Sequence, residues 1–189
     1  MINRRVLVID DDATVLETYR SVLGGRTGGV ATQALHAFLS PEKGTGSGHA
    51  EPFALTEASQ GAEGVEAVRQ SLAEGEPYAV AFVDMRMPPG INGLETARQI
   101  RDLDDRIHIV IVTAYSDHSV DEMQASLHHD LLLTRKPLTS EEILQLARNA
   151  CNSWSKGAAD RARFDSILQQ LASMEEQECT TEAPALWWG

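Results

Sequence analysis

Val80-Ala-Phe-Val-Asp-Met-Arg-Met-Pro-Pro-Gly-Ile-Asn-Gly-Leu-Glu95 is the stretch whose reading decides the fold. A short apolar run carries a single carboxylate, Asp84, at its end, and Met87-Pro-Pro-Gly90 then stops it. Proline cannot donate to a central ladder, and Gly90 and Gly93 allow tight turns, so a strand has to end near Asp84. A helical pattern begins at about Gly93. In an open parallel sheet, ligands bind beyond the carboxyl ends of the strands, which is where this aspartate falls. On its own such an aspartate would do no more than cap a loop, so the other strand ends decide its meaning.

Outward from that stretch the same grammar repeats. Val6-Leu-Val-Ile9 is a continuous apolar run of the kind buried on both faces, and it ends in Asp10-Asp-Asp12. Residues 13–23 then place Val15, Leu16, Tyr19, Val22 and Leu23 at helical spacing, with an aspartate ahead of them as N-cap. Residues 53–58 read as a weak strand and 62–73 as an amphipathic helix. Residues 78–83 are the strand leading to Asp84, and 94–103 are helical. Residues 107–112 form a further apolar strand ending in Thr113-Ala-Tyr-Ser116, and 120–127 are helical. Leu131-Leu-Leu-Thr134 is a last strand, followed by Arg135-Lys-Pro137 and an acidic-capped helix over 139–154. Strands alternating with helices predict a parallel sheet covered on both faces, with right-handed crossovers.

Three segments stand apart. Residues 24–52 are rich in glycine, with a short helix expected over 31–39 and an extended surface loop after it. Gly157 is expected to interrupt the last helix, which separates a domain over 1–155 from a C-terminal helix over 156–178. In that helix Phe164, Ile167, Leu168, Leu171 and Met174 form a stripe that cannot be buried alone. Residues 179–189 read as a disordered tail, despite Trp187 and Trp188.

Composition narrows the function classes. A net charge of −12 argues against nucleic-acid binding through a basic surface. The 189 residues, 42% hydrophobic and 23% charged, suit one soluble domain plus an extension. Cys151 and Cys179 have neither metal-ligand spacing nor a disulfide pattern, and the N-terminus is too short of apolar residues for a signal peptide or membrane span. The expectation is a cytoplasmic protein with no membrane partner.

The chemistry-bearing residues all fall at strand ends: Asp10, Asp11 and Asp12, then Asp84, Thr113 and Lys136. A doubly wound sheet brings these ends to one edge. Crowded carboxylates repel one another unless a cation neutralises them, and hard oxygen ligands suit Mg2+. A divalent cation, an ammonium and a hydroxyl around one carboxylate make a site for phosphoryl transfer, with the carboxylate as acceptor. Singly, each residue has a plainer reading: capping for the aspartates, a local backbone bond for Thr113, solvation for Lys136. His128 and His129 diverge on a helix end, and His108 reads as a packed strand residue.

With the acidic pair after the first strand, Asp84-x-x-Met87-Pro88 followed by Asn92-Gly93, Thr113-Ala114 and Lys136-Pro137, the chain resembles the receiver domain of two-component response regulators over roughly residues 4–154. The resemblance implies a flavodoxin-like, five-stranded parallel sheet of order 2-1-3-4-5. It implies Asp84 as phosphoacceptor from a histidine kinase or phosphotransfer protein. Mg2+ would be held by Asp11 directly, by Asp10 mainly through a water, by Asp84, and by the backbone carbonyl of Arg86. Thr113 and Lys136 would bind the phosphoryl group, and the Lys136–Pro137 bond would be cis. Such a chain is not an enzyme acting on other substrates; it catalyses only its own phosphorylation and slow dephosphorylation. Its C-terminal helix would lead to an output domain or pair in a homodimer.

The chain departs from the family pattern in places. The loop after Asp84 is one residue longer than usual, as in a subgroup with Met-Pro-Pro-Gly, and residues 24–52 are longer than the ordinary connection. Arg86 and Tyr115 stand at positions that tune dephosphorylation. The family's switch aromatic, three residues before the lysine, is Leu133, so aromatic rotation coupled to Thr113 is not the output device in its usual form. Two rival readings follow from the same residues. One is a haloacid-dehalogenase-like phosphatase with Asp10 as nucleophile and Asp12 as acid/base, which lacks the expected acidic pair downstream of Lys136. The other is a docking module that works without phosphorylation.

Overall fold

Alternation along the strands sorts the core into two layers. The computed structural model describes residues 2–24, 52–114 and 131–181, with side chains through 169. Five parallel strands, β1 (Arg5–Ile9), β2 (Ala54–Ala58), β3 (Val80–Asp84), β4 (His108–Thr113) and β5 (Leu131–Arg135), form one sheet in the order β2-β1-β3-β4-β5. The expected sheet is therefore the observed one. Leu7, Ile9, Ala81, Val83, Ile109 and Ile111 point to one face, against α2 (Gly61–Ala73) and α3 (Gly93–Leu103). Val6, Val8, Val80, Phe82, Val110 and Val112 point to the other, against α1 (Ala13–Leu23) and the first turns of α4 (Ser140–Thr181). The three central strands thus have no solvent face, which is why their sequences are unbroken apolar runs. Each such side chain fully buried contributes about 2 kcal/mol, a reserve large enough to carry buried charge at the sheet edge.

Caps place the helix starts. Asp12 accepts from the Thr14 amide at 2.8 Å to open α1, and Asn92 accepts from the Glu95 amide at 2.9 Å to open α3. Thr139 and Glu142 form a reciprocal capping box at α4: the Glu142 amide donates to Thr139 Oγ1 at 3.2 Å, and the Thr139 amide donates to Glu142 Oε2 at 2.8 Å. At α2 the Gln60 side chain makes no cap; Glu63 instead reaches back to accept from the Ser59 amide and hydroxyl.

One expectation fails. Gly157 does not interrupt the last helix, which runs unbroken from Ser140 to Thr181. A helical glycine costs only about 1 kcal/mol relative to alanine, and Lys156, Ala158 and Ala159 around it are strong helix formers. The chain divides into two units, Met1–Trp154 and Ser155–Gly189, and this helix crosses the division. The helices expected over 31–39 and 120–127 and the long loop before β2 lie outside the described residues. Cys151 is buried in the core, and burial pushes its thiol up to about 12, which makes it inert as a nucleophile or ligand. Among the described residues no helix is long and apolar enough to cross a membrane.

Gly93 fixes where α3 meets the end of β3. Its amide donates to the Met85 carbonyl at 3.0 Å, and a Cβ at this position would lie 2.2 Å from the Asp84 carbonyl oxygen and 2.8 Å from Met85 Cα. Both obstacles are backbone and cannot rotate away. Gly93→Ala is expected to lower stability by about 2 kcal/mol in urea unfolding, as overpacking against backbone does. An unchanged midpoint would show that α3 shifts freely.

Candidate functional site

The sheet delivers its strand ends to one edge, and the expected residues meet there. Asp10 follows β1, Asp84 ends β3, Thr113 ends β4, and Lys136 follows β5. Because β1 and β4 both flank β3, Asp84 stands centrally. The backbone locks the edge: the Asp10 amide donates to the Ala58 carbonyl at 3.1 Å, the Met85 amide to Val112 at 3.0 Å, and the Lys136 amide to Thr113 at 2.8 Å. The Lys136–Pro137 peptide is cis, as is Pro88–Pro89 in the loop after Asp84.

One ammonium joins the two buried carboxylates. Lys136 Nζ lies 2.7 Å from Asp10 Oδ2 and 2.9 Å from Asp84 Oδ1. Asp10, Asp84 and Thr113 are buried, and Asp11 is exposed. One carboxylate oxygen each from Asp10, Asp11 and Asp84 lies within 4.8 Å of the others. Three carboxylates against one ammonium leave two negative charges, and every donor is a hard oxygen. That set fits a divalent cation of the Mg2+ type. Arg86 turns its amide to Asp84 Oδ2 at 3.3 Å, which keeps its peptide beside the carboxylate.

The three consecutive aspartates divide their work. Asp10 accepts from Lys136 and, through Oδ1, from the Asp12 amide at 3.0 Å. Asp11 contributes to the acidic cluster. Asp12 caps α1, and the Thr14 amide holds its carboxyl below the ordinary value. Burial pushes the Asp84 carboxyl up; Lys136 pulls against this, the Asp10 charge adds to it, and the carboxyl settles above its ordinary value. Burial pulls the Lys136 ammonium down, but hydrogen bonds to Asp10 and Asp84 outweigh it, so it settles above its ordinary value.

One neighbour of the site escaped the sequence reading. Tyr19, legible only as part of the α1 stripe, is buried with its ring 5.1 Å from that of Phe82. Burial, followed by the charges of Asp10 and Asp84, raises its pKa, so its hydroxyl stays protonated. Helical spacing told that Tyr19 is inward; it carried no sign that inward meant near Asp84. Leu133 lies partly buried against the α2–α3 layer, so no aromatic stands at that strand position. Neither His128 nor His129 lies among the described residues, and His108 opens β4 on the strand, as a packed residue would.

Comparison with known proteins agrees with this geometry. The family described as "Response regulator receiver domain" matches residues 49–148, just over half of the chain. The match starts downstream of β1, so the aspartates at 10 and 11 join the site through the fold rather than through that match. No curated protein matches the chain. Among solved structures, a CheY-like response regulator receiver domain protein from Methanospirillum hungatei is 18% identical, with 82% of this chain and 98% of that one covered and a TM-score of 0.57. A structure titled adenylate cyclase from Rhodopirellula baltica is 20% identical, covering 87% and 98%, with a TM-score of 0.64. The N-terminal domain of a response regulator/sensory box/GGDEF three-domain protein from Carboxydothermus hydrogenoformans is 16% identical, covering 82% and 98%, with a TM-score of 0.56. At these identities the likeness concerns the fold alone.

The electrostatics yield a stability test. A carboxyl whose folded pKa is raised contributes stability below its unfolded value and loses it as pH rises through the folded one. At pH 7 without divalent cation, ionised Asp84 therefore opposes folding, and Asp84→Asn is expected to raise stability by about 1 kcal/mol. Lys136→Met, which strands two buried carboxylates, is expected to lower it by about 2 kcal/mol. That deficit should shrink as acid protonates Asp84. Urea unfolding from pH 4 to 8 measures both, and equal stability of all three proteins across the range would contradict the bridging role of Lys136.

Proposed function

From a chain that belongs to the response regulator receiver domain family, we propose a phosphoacceptor of a two-component phosphorelay, loaded on Asp84 by the phosphohistidine of a histidine kinase or phosphotransfer protein. The observation that carries this reading is the Lys136 ammonium held on Asp84 at 2.9 Å, at the end of the central strand and beside two further carboxylates. An Asp84 oxygen attacks phosphorus in line as the histidine nitrogen leaves. The raised pKa of Asp84 makes that oxygen more basic, while burial keeps it from being solvated by bulk water.

Lys136 is placed to pass from the carboxylate to a phosphoryl oxygen as charge moves outward. The Thr113 hydroxyl, at the end of the neighbouring strand, takes a second oxygen. Mg2+ held by Asp10, Asp11, Asp84 and the Arg86 carbonyl would neutralise charge on the transferring group. The chain acts on itself only, by phosphorylation and slow hydrolysis of the acyl phosphate, and is not an enzyme with an external substrate. The outcome is a new charge at the sheet edge that switches partner interactions, in a cytoplasmic setting. With Leu133 at the usual aromatic position, ring rotation coupled to Thr113 is not the output device, which leaves movement of the 113–115 loop and of the helix expected from about residue 120. The phosphatase reading requires Asp12 as acid/base, and the engagement of Asp12 in capping α1 counts against it.

Incubation with Mg2+ and acetyl phosphate, followed by mass spectrometry, tests the proposal. One phosphoryl group on Asp84 is expected, lost in Asp84→Asn and formed about a hundredfold more slowly in Lys136→Met. Label on Asp10 would support the phosphatase instead. No label, under conditions that load a known receiver, would support the docking module.

A further inference from the structure

The distal part of α4 leaves an apolar stripe in the open. Phe164, Ile167 and Leu168 are exposed by 61%, 45% and 48%. Scattered apolar residues on a surface are ordinary, but three large ones on one side of a helix mark a contact face. The sequence continues the spacing at Leu171 and Met174, so positions 164, 167, 171 and 174 follow an a/d pattern, with Leu168 alongside. Asp160 and Glu178 occupy the next positions on either side, which confines the apolar seam to 164–174.

Charge distribution says what covers it. The turns ahead of the stripe carry Lys156, Arg161 and Arg163 against one acid, Asp160. The turns after it read Glu175-Glu-Gln-Glu178, with no base. A parallel copy would set basic ends together and acidic ends together. An antiparallel copy sets each basic end against an acidic one and opposes the helix dipoles favourably. With the crossing centred near residue 169, Phe164 falls opposite Met174, Ile167 opposite Leu171, Arg163 in the layer of Glu175 and Arg161 in that of Gln177. We propose that this segment pairs antiparallel with the same segment of a second copy of the chain. The proposal rests on the helix alone and stands or falls independently of phosphorylation at Asp84.

Two variants of the full chain with one introduced cysteine each, Asp160→Cys and Glu178→Cys, both in a Cys179→Ser background, test both pairing and direction. Buried Cys151 does not compete. Sedimentation should report a concentration-dependent dimer. Oxidation should give disulfide dimers when the variants are mixed and few in either alone, because like positions lie about 27 Å apart in this register. Replacing Glu175 and Glu176 together by lysine should weaken association about tenfold; in a parallel pair it would swap one like-charge contact for another and change little. Phe164→Glu with Leu168→Glu should leave monomers whose circular dichroism at about 25 °C, well under the usual melting range, still reports the folded sheet domain. A protein that stays monomeric at hundreds of micromolar, disulfide dimers within either single variant, a trimer, or a dimer indifferent to the lysine replacements would each overturn the proposal.

Discussion

Lys136 lies 2.7 Å from Asp10 and 2.9 Å from Asp84, and the surrounding structure holds that one ammonium between two buried carboxylates. Without it, the ends of β1 and β3 would present unpaired charge in a place where the sheet excludes water, a situation that proteins avoid by pairing or protonation. The devices that aim it are local. Its amide is tied to Thr113, a proline follows it, and the Thr139–Glu142 capping box starts α4 three residues later. The apolar layers on both faces supply the stability that tolerates the charge. The remaining excess of negative charge is what makes the edge fit for a divalent cation.

Much of this was legible from residues alone, for a physical reason. Strands buried on both faces must be continuous apolar runs, and parallel strands must be separated by crossovers, so Val6–Ile9, Val80–Asp84 and His108–Thr113 announced both the class and the edge where their ends meet. Asp84, Thr113 and Lys136 stood at those ends and the fold brought them together. Asp10, Asp11 and Asp12 were legible as a group but not as individuals. Three adjacent aspartates have the same composition whichever one points inward, and only the backbone path decides that Asp10 meets Lys136 while Asp12 caps a helix. Tyr19 was legible as core and illegible as a neighbour of the site, since periodicity gives a face and not a depth. Gly157 misled because its modest penalty is outweighed by the helix formers around it.

The position of Leu133 separates two parts of the molecule that are easily treated as one. The residues proposed for phosphoryl transfer sit on the backbone-locked edge, whereas the family's usual relay to the output face depends on an aromatic that this strand lacks. The proposed acceptor chemistry and the readout are therefore distinct problems here, and the exposed stripe of the second unit, Ser155–Gly189, adds a surface with its own charge logic. A long helix that begins next to the lysine and continues through Gly157 gives the chain one element shared by both units.

The central claim is electrostatic: Asp84 is a desolvated carboxylate kept ionised by Lys136. Carbon-detected NMR titration of the Asp84 carboxyl, in the protein and in Lys136→Met without divalent cation, addresses it directly. The account predicts an Asp84 pKa above the ordinary 3.8 in the protein and higher still in the variant. An ordinary value in the protein, or no change when the lysine is removed, would contradict it.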